Sequence, residues 1–296
     1  MTTAANKRAK KIVSKTGIYA GLLCYTFILF FPFLIVILTS FTPDAQQLET
    51  TKFIWKPDFS LEGYKMVFEL DPFKTNNVPS LLQGFINTLW QALIPTVCGL
   101  IVSGFASYAY AKFDFPGKSK FFAANLLLMT IPLSAGMTGY LFYNAIGWTT
   151  GGASVLPLIV PGMFGSAATI FFIYPYVKAL PTSIVEAARM DGIGFFACFF
   201  RIVFPLSLPV FLSQFLFGFV NCYNNYSNAL IYLMNQQELW TLQLALGQLV
   251  SYVQSSGGWD NVACAAAIMS LMPLLLLYLF VQRYFISGIT AGSVKG

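Results

Sequence analysis

The sequence predicts an all-α integral membrane protein with six transmembrane helices. Composition is the first observation behind this. Of 296 residues, 57% are hydrophobic and 9% charged, with mean hydropathy +0.68. A water-soluble domain has about a quarter of its residues charged. The second observation is that the apolar residues gather into long stretches without a charge. The third is that the charges between those stretches differ in sign from one side to the other. Together they exclude an ordinary soluble enzyme, a disordered chain and a disulfide scaffold.

The charge-free stretches run over 16–43, 75–111, 121–177, 202–237, 239–259 and 261–282. A helix needs about 20 mostly apolar residues to cross the hydrocarbon core. The third stretch is long enough for two crossings and breaks at the Gly-rich segment Asn144–Gly152. The stretch 239–259 holds Gln243, Gln248, Ser251, Gln254, Ser255 and Ser256. It reads as a short amphipathic helix plus loop at the interface. The expected spans are therefore about 18–40, 82–111, 121–143, 155–177, 204–233 and 262–284. A tail over 1–17 precedes a single membrane domain over 18–296, with a long loop at 178–203.

Six crossings put both termini on one side. With that side cytoplasmic, 13 of the 17 Lys and Arg lie inside, against 3 of the 11 acids; the other 4 basic and 8 acidic residues lie outside. That is the positive-inside pattern, and the opposite orientation would invert it. Lys7–Lys15 ahead of an apolar run could suggest a signal peptide. The run Gly17–Phe41 is too long for that, and no small-residue cleavage site follows. The five cysteines (Cys24, Cys98, Cys198, Cys222, Cys264) have no paired or metal-ligand spacing, so a disulfide framework and a metal site are not expected.

There is no histidine, and the expected spans hold no Asp, Glu, Lys or Arg apart from Arg283 at the cytoplasmic end of the last. This argues against a proton-coupled pump and against carboxylate or His/Cys catalysis. Gly117-Lys118-Ser119 matches only the end of a phosphate-binding loop. The first glycine of that motif would fall on Lys112, and no strand precedes it. Uphill transport by this chain would need energy from a partner.

The loop between spans four and five carries the densest signal. Pro181 ends the preceding segment, Ser183 suits a helix N-cap, and Glu186 three residues on completes a capping box. Ile184, Ala187 and Ala188 would form a small apolar face. Gly192 permits a sharp turn or positive φ. The expected product is a helix-turn-helix knob, either a plain connector or a plug for a groove on another protein.

This loop resembles the cytoplasmic signature of ABC importer permeases, E-A-A-x-x-x-G, nine residues, I-x-L-P. Here Glu186-Ala187-Ala188 is followed by Gly192, nine residues, then Ile202-Val203-Phe204-Pro205, with Phe204 where Leu is usual. Tyr108–Lys118 after the second span, Phe53–Tyr64 after the first and the ending Gly288–Gly296 are similar to segments of the carbohydrate-uptake branch, maltose type, and of its MalG-like subunit. The resemblance implies the type I permease fold, with the loop as a coupling helix. Glu186, Ala187, Ala188, Asp191, Gly192, Ile202 and Pro205 would then carry the ATPase contact. It implies a second homologous permease subunit, two cytoplasmic ATPase subunits that bind ATP and Mg, an external sugar-binding protein, and residence in a bacterial or archaeal cell membrane. No cofactor in this chain and no nucleic-acid partner are expected.

Span five contains Asn221, Tyr223, Asn224, Asn225, Tyr226 and Asn228. Amides exchange hydrogen bonds with hydroxyls, and aromatic faces cover sugar rings. On a continuous helix the four asparagines would share one face. Such a patch suits a neutral saccharide pathway, and equally interhelical hydrogen bonding. Pro132–Gly139 in span three reads as close packing or a helix break. The outer stretch Ser251–Asp260, with Ser255, Ser256, Gly257, Gly258 and Trp259, would face the binding protein, and Trp259 also suits an interface anchor. The resulting expectation is an ATP-driven sugar importer subunit, itself no enzyme. An ABC permease for another solute and an ion-coupled secondary transporter are the alternatives.

Overall fold

The computed structural model describes residues 2–43, 59–130, 136–257 and 260–293. Helices dominate these residues: α1 Thr2–Ser40, α2 Glu62–Glu69, α3 Ser80–Lys112, α4 Lys118–Thr130, α5 Gly136–Ala145, α6 Leu156–Met163, α7 Ala167–Ala179, α8 Thr182–Met190, α9 Phe195–Cys198, α10 Phe204–Leu206, α11 Leu208–Tyr223, α12 Tyr226–Leu233, α13 Leu242–Ser256 and α14 Asp260–Ser293. Among them the stretches Gly17–Ser40, Ser80–Lys112, Gly151–Ala179 and Asp260–Phe280 are long and apolar enough to cross a membrane. A fifth crossing would combine Phe195–Leu206 with Leu208–Tyr223, bent by 87°.

The chain divides into two compact units. The first comprises residues 1–71 and 249–269. In it α1 exposes its apolar side chains along most of its length, from Ile18 to Ile37. At its end Ser40 bonds the Tyr64 hydroxyl at 2.9 Å, and the Asn261 side-chain amide donates to the Thr42 carbonyl at 3.1 Å. Gly63 lets α2 approach this corner: a Cβ there would lie 3.1 Å from the Asn261 carbonyl oxygen and 3.2 Å from that of Ser40.

The second unit, 72–248 with 270–296, is organised around α3. Small residues let other helices reach its backbone. A Cβ on Gly99 would collide with the carbonyl oxygen of Gly162, and one on Gly162 would lie 2.7 Å from Cβ of Pro95. Ser103 Oγ accepts from the Ser166 backbone N–H at 3.1 Å, and Ser107 Oγ donates to the Ile170 carbonyl at 3.2 Å. Hydroxyls and glycines at close helix contacts are the packing chemistry of membranes, where burial of apolar surface drives little.

The long spans are not all continuous. Span four is a 3-10 turn over Gly151–Val155 followed by α6 and α7, with an interruption at 164–166. Its second half starts from Ser166, whose hydroxyl accepts from the Thr169 backbone N–H at 3.0 Å. The region of span three holds α4 and α5, and the Pro132–Ala135 part of the expected break or packing segment lies outside the described residues. Downstream of α5 the chain turns at Gly147 (φ 78°), where Trp148 N donates to the Tyr143 carbonyl at 2.8 Å and the Tyr143 and Trp148 rings stack at 5.7 Å. The expected span 204–233 is three pieces, α10, α11 and α12.

The stretch 239–259, read as a short amphipathic helix plus loop, holds a helix over Leu242–Ser256 followed by a turn at Gly257. Its helix, α13, buries Leu242, Leu244, Ala245, Leu249 and Val253 in protein. The lead-in to this helix, 238–242, is held by a polar clamp on one face of α3. The Asn87 side-chain amide donates to the carbonyls of Glu238 (2.7 Å) and Trp240 (3.0 Å), and that of Gln91 donates to Leu239 (2.9 Å). Thr88 Oγ1 accepts from Leu242 N at 2.8 Å. These bonds satisfy the backbone of a segment that is largely non-helical and draw it into the fold.

Candidate functional site

The 178–203 loop folds as a knob attached to three long helices. Its helix α8 starts at Thr182 with Pro181 in the N-cap position and no side-chain cap. The capping box read at Ser183 and Glu186 therefore does not form. Proline serves at this end because the first N–H groups of a helix have no partner in the helix.

The other end of α8 explains the spacing of the motif. Gly192 has φ 76°. Its N–H bonds the Arg189 carbonyl at 3.0 Å, and the Ile193 N–H bonds the Ala188 carbonyl at 3.0 Å. These two bonds are a Schellman cap, with glycine at its left-handed position. The motif's accompanying apolar contact joins the residues flanking the cap: Ala188 is buried and Ile193 packs against the same cluster. Three residues must separate the inner small residue from the glycine for this geometry to close, which is the Ala188-x-x-x-Gly192 spacing.

Burial sorts the face that was read as Ile184, Ala187 and Ala188. Val185 and Ala188 are each 4% exposed and point inward, while Ile184, Glu186, Ala187 and Met190 are exposed. A helix repeats every 3.6 residues, so Ala187 and Ala188 lie about 100° apart and separate between outer and inner faces. Asp191, Gly192 and Pro205 are also exposed, and Ile202 is half-buried.

Val185 and Ala188 enter an apolar cluster with Tyr108 from α3, Ile173 and Val177 from α7, Phe199 and Val203, and Phe211 from α11. Aromatic rings fill it. Phe105 meets Phe199 at 4.3 Å between centroids, Tyr108 meets Phe195 at 4.9 Å, and Phe204 meets Phe211 at 4.8 Å. The Arg189 guanidinium sits over the Phe113 ring at 4.2 Å. Lys112 Nζ donates to the carbonyls of Lys178 and Leu180, tying the end of α3 to the end of α7. Close-packed interiors transmit displacement rather than absorb it. A push on α8 is thereby a push on α3, α7 and α11.

The amide patch is not one helical face. The helix α11 stops at Tyr223, and Asn225 starts α12, its side chain accepting from the Asn228 N–H at 3.4 Å. Consecutive asparagines break the helix because their short amides compete for backbone groups. Tyr223 is 1% exposed and its hydroxyl donates to the Ser270 carbonyl at 2.6 Å, so its role is packing. Asn221, Asn224 and Tyr226 are exposed and Asn228 half-buried. The Gln243 side-chain amide donates to Asn224 Oδ1 at 3.3 Å. Against the break lies a small cavity lined by Thr88, Gln91, Ala92, Leu158, Cys222, Asn225 and Thr241, and the buried Oε1 of Gln91 has no hydrogen-bond partner among the described residues. Non-helical backbone at membrane depth is tolerated where it is buried in protein or lines a polar cavity.

Of the outer stretch, Ser255 and Ser256 are the exposed last residues of α13 and Gly257 follows them, so 251–256 is helix where a loop was expected. Gly258 and Trp259 lie outside the described residues. The reading from sequence missed the clamp of Asn87, Thr88 and Gln91. Its signal was present as polar residues at i, i+1 and i+4 in the first half of the span.

Comparison with known proteins places these features in a family. The family model described as "binding-protein-dependent transport system inner membrane component" matches residues 13–291. The chain is 31% identical over 271 residues to the arabinooligosaccharides transport system permease protein AraQ of Bacillus subtilis, covering 90% of each. It superposes with TM-score 0.77 and 21% identity on a chain of a bacterial ABC transporter involved in the import of the acidic polysaccharide alginate, over 94% of this chain and 98% of that one. A chain of the bacterial alginate ABC transporter in complex with an alginate pentasaccharide-bound periplasmic protein matches with TM-score 0.57 and 13% identity, over 92% and 95%. The all-α fold is thus the type I permease fold seen in that transporter. The knob, its rigid seat on the long helices and the match over nearly the whole chain agree: this protein belongs to the inner-membrane permease family of binding-protein-dependent ABC importers.

Proposed function

We propose that this chain carries a sugar or oligosaccharide across the cell membrane, receiving it from an external binding protein and drawing energy from partner ATPases. Its relatives' names supply the substrate class: one transports arabinooligosaccharides and one takes part in alginate import. The assembly comprises a second homologous permease subunit, two cytoplasmic ATPase subunits that bind ATP and magnesium, and the binding protein. Both termini lie in the cytoplasm, in keeping with the charge map.

The observation that carries the mechanism is the seating of α8. Its outer residues, Glu186, Ala187, Asp191 and Gly192, are free to meet an ATPase groove, while Val185 and Ala188 lock it to α3, α7 and α11. ATPase closure displaces the knob, and the displacement reaches the helices that bound the pathway. The break at Ser207, where the helix bends by 87°, and the interruptions at 164–166 and 224–225 are the places where helix segments would move against one another. Asn221, Asn224, Asn225, Tyr226 and Asn228 supply uncharged hydrogen-bonding and stacking groups for a saccharide at the last of these. The exposed Ser255, Ser256 and Gly257 are the contact for the binding protein.

The test is reconstitution of the complete importer in vesicles with its binding protein. Saccharide uptake should require ATP and the ATPases. Glu186→Gln leaves α8 capped as before, since Glu186 makes no cap, and should reduce ATPase retention on the permease. Uptake without ATPase subunits, or a binding protein that takes only a non-saccharide solute, would sink the proposal.

A further inference from the structure

The Gly117-Lys118-Ser119 corner, which fits no nucleotide motif, lines a cavity of about 600 Å³ between the ends of α3, α4 and α7. The walls are of two kinds. Tyr110, Phe115, Phe122 and Tyr174 form a connected aromatic wall, with Tyr110–Phe122 centroids 5.4 Å apart and Phe122–Tyr174 4.7 Å apart. Lys118 and Lys120 line the rest, with Asp114. Lys178 Nζ stands 5.4 Å from the centroid of the Tyr174 ring.

The charges do not cancel. Asp114 is taken by Lys118 at 3.1 Å, and Lys118 also donates to the Phe113 carbonyl at 2.9 Å. Lys120 and Lys178 are exposed, and among the described residues no ion pair engages either. A surplus of two cations therefore borders an aromatic wall at the ends of two apolar helices long enough to cross a membrane. Aromatic residues suit the headgroup level of a bilayer, and lysines there attract acidic lipid. A soluble phosphate would gain from the lysines but not from the rings. A phospholipid gains from both, its phosphate on the ammonium groups and its glycerol and first methylenes on the aromatic faces.

We infer that this cavity is a binding site for the headgroup of an anionic phospholipid of the cytoplasmic leaflet. The inference rests on the orientation given under Proposed function, which puts Lys112, Lys120 and Lys178 inside. A bound headgroup braces the corner where α3 and α7 meet the coupling knob, since Lys112 and Lys178 belong to the same junction.

The complete importer is reconstituted in phosphatidylcholine vesicles with and without phosphatidylglycerol, and retained lipid is counted by native mass spectrometry. Phosphatidylglycerol retention should weaken about fivefold for each lysine removed in Lys120→Gln/Lys178→Gln. It should be unchanged in the equal-charge control Lys65→Gln/Lys74→Gln and restored in Lys120→Arg/Lys178→Arg. Equal retention in the first two variants overturns the inference. So does displacement of the lipid by inorganic phosphate, which would make this a phosphate-ion site. Should the glutamine variant fail to assemble, wild-type importer is photocrosslinked with headgroup-diazirine phosphatidylglycerol. Adducts on the 110–122 segment support the site, and adducts only elsewhere overturn it. Saccharide uptake in the same vesicles separates the two claims. Uptake with no lipid retention defeats only the lipid site, and lipid retention with no uptake defeats only the transport reading.

Discussion

Substitution at Gly192 separates a backbone requirement from a docking contact. The residue holds φ 76°, and a Cβ built on it meets nothing within 4 Å among the described residues. Inside the subunit the cost of a side chain is therefore conformational. For an L-residue held in the left-handed region it is about 1–2 kcal/mol, and less for Asn, whose short amide tolerates that region. Losing that much from the Schellman cap should raise local opening of α8 about five- to thirty-fold. Backbone hydrogen exchange of Ile193 and Gly192, whose N–H groups make the two cap bonds, reads this directly in the assembled importer. The expected order of protection is Gly, then Asn, then Ala, then Val, with binding-protein-stimulated ATPase activity following the same order. If Asn protects no better than Ala, while both abolish stimulation, the glycine is needed for room against the ATPase and the cap argument fails. Unchanged exchange in the Val variant would refute it outright.

Three other perturbations probe other parts of the fold. Gly99→Ala places a Cβ against the Gly162 carbonyl, so overpacking should cost about 1–3 kcal/mol and lower the thermal midpoint of the purified subunit; an unchanged midpoint would mean α3 and α6 do not touch as described. Gln91→Leu removes the bond to the Leu239 carbonyl and should cost about 1–3 kcal/mol, seen as faster exchange or proteolysis over 237–243, and protection equal to wild type would remove the clamp. Tyr223→Phe loses the 2.6 Å bond to Ser270 and should cost about 1 kcal/mol of stability with the KM for uptake unchanged, whereas Asn221→Ala should raise KM. A selective KM effect from Tyr223→Phe would return that residue to the pathway.

Much of the knob could be read from the linear chain because its constraints are local. The Ala188 to Gly192 spacing and the left-handed glycine are properties of six consecutive residues. The start of α8 differs for a related reason: Ser183 and Glu186 satisfy a capping pattern, but with Pro181 in the N-cap position the helix begins two residues earlier, at Thr182. The asparagine patch illustrates the opposite limit. Helical periodicity would line up Asn221, Asn224, Asn225 and Asn228, yet the same amides interrupt the helix that the periodicity assumes. Composition marks such a segment as polar without saying whether it stays helical.

The amino-acid sequence alone determined the membrane class, the approximate apolar segments, the positive-inside charge pattern and the absence of Asp, Glu, Lys and Arg, apart from Arg283, from the expected spans. Those are properties of short windows against a uniform solvent, the lipid, so no neighbour needs to be known. Tertiary structure decided which face of α8 is outward, which of the span-five aromatics is buried, and that the start of α13 is packed in protein. Each of these depends on a partner far along the chain: Val185 on Tyr108 and Val177, Tyr223 on Ser270, and the lead-in to α13 on Asn87, Thr88 and Gln91. An amide or a tyrosine in an apolar segment must satisfy its hydrogen bonds within the protein. Which group does so is set only when the helices meet.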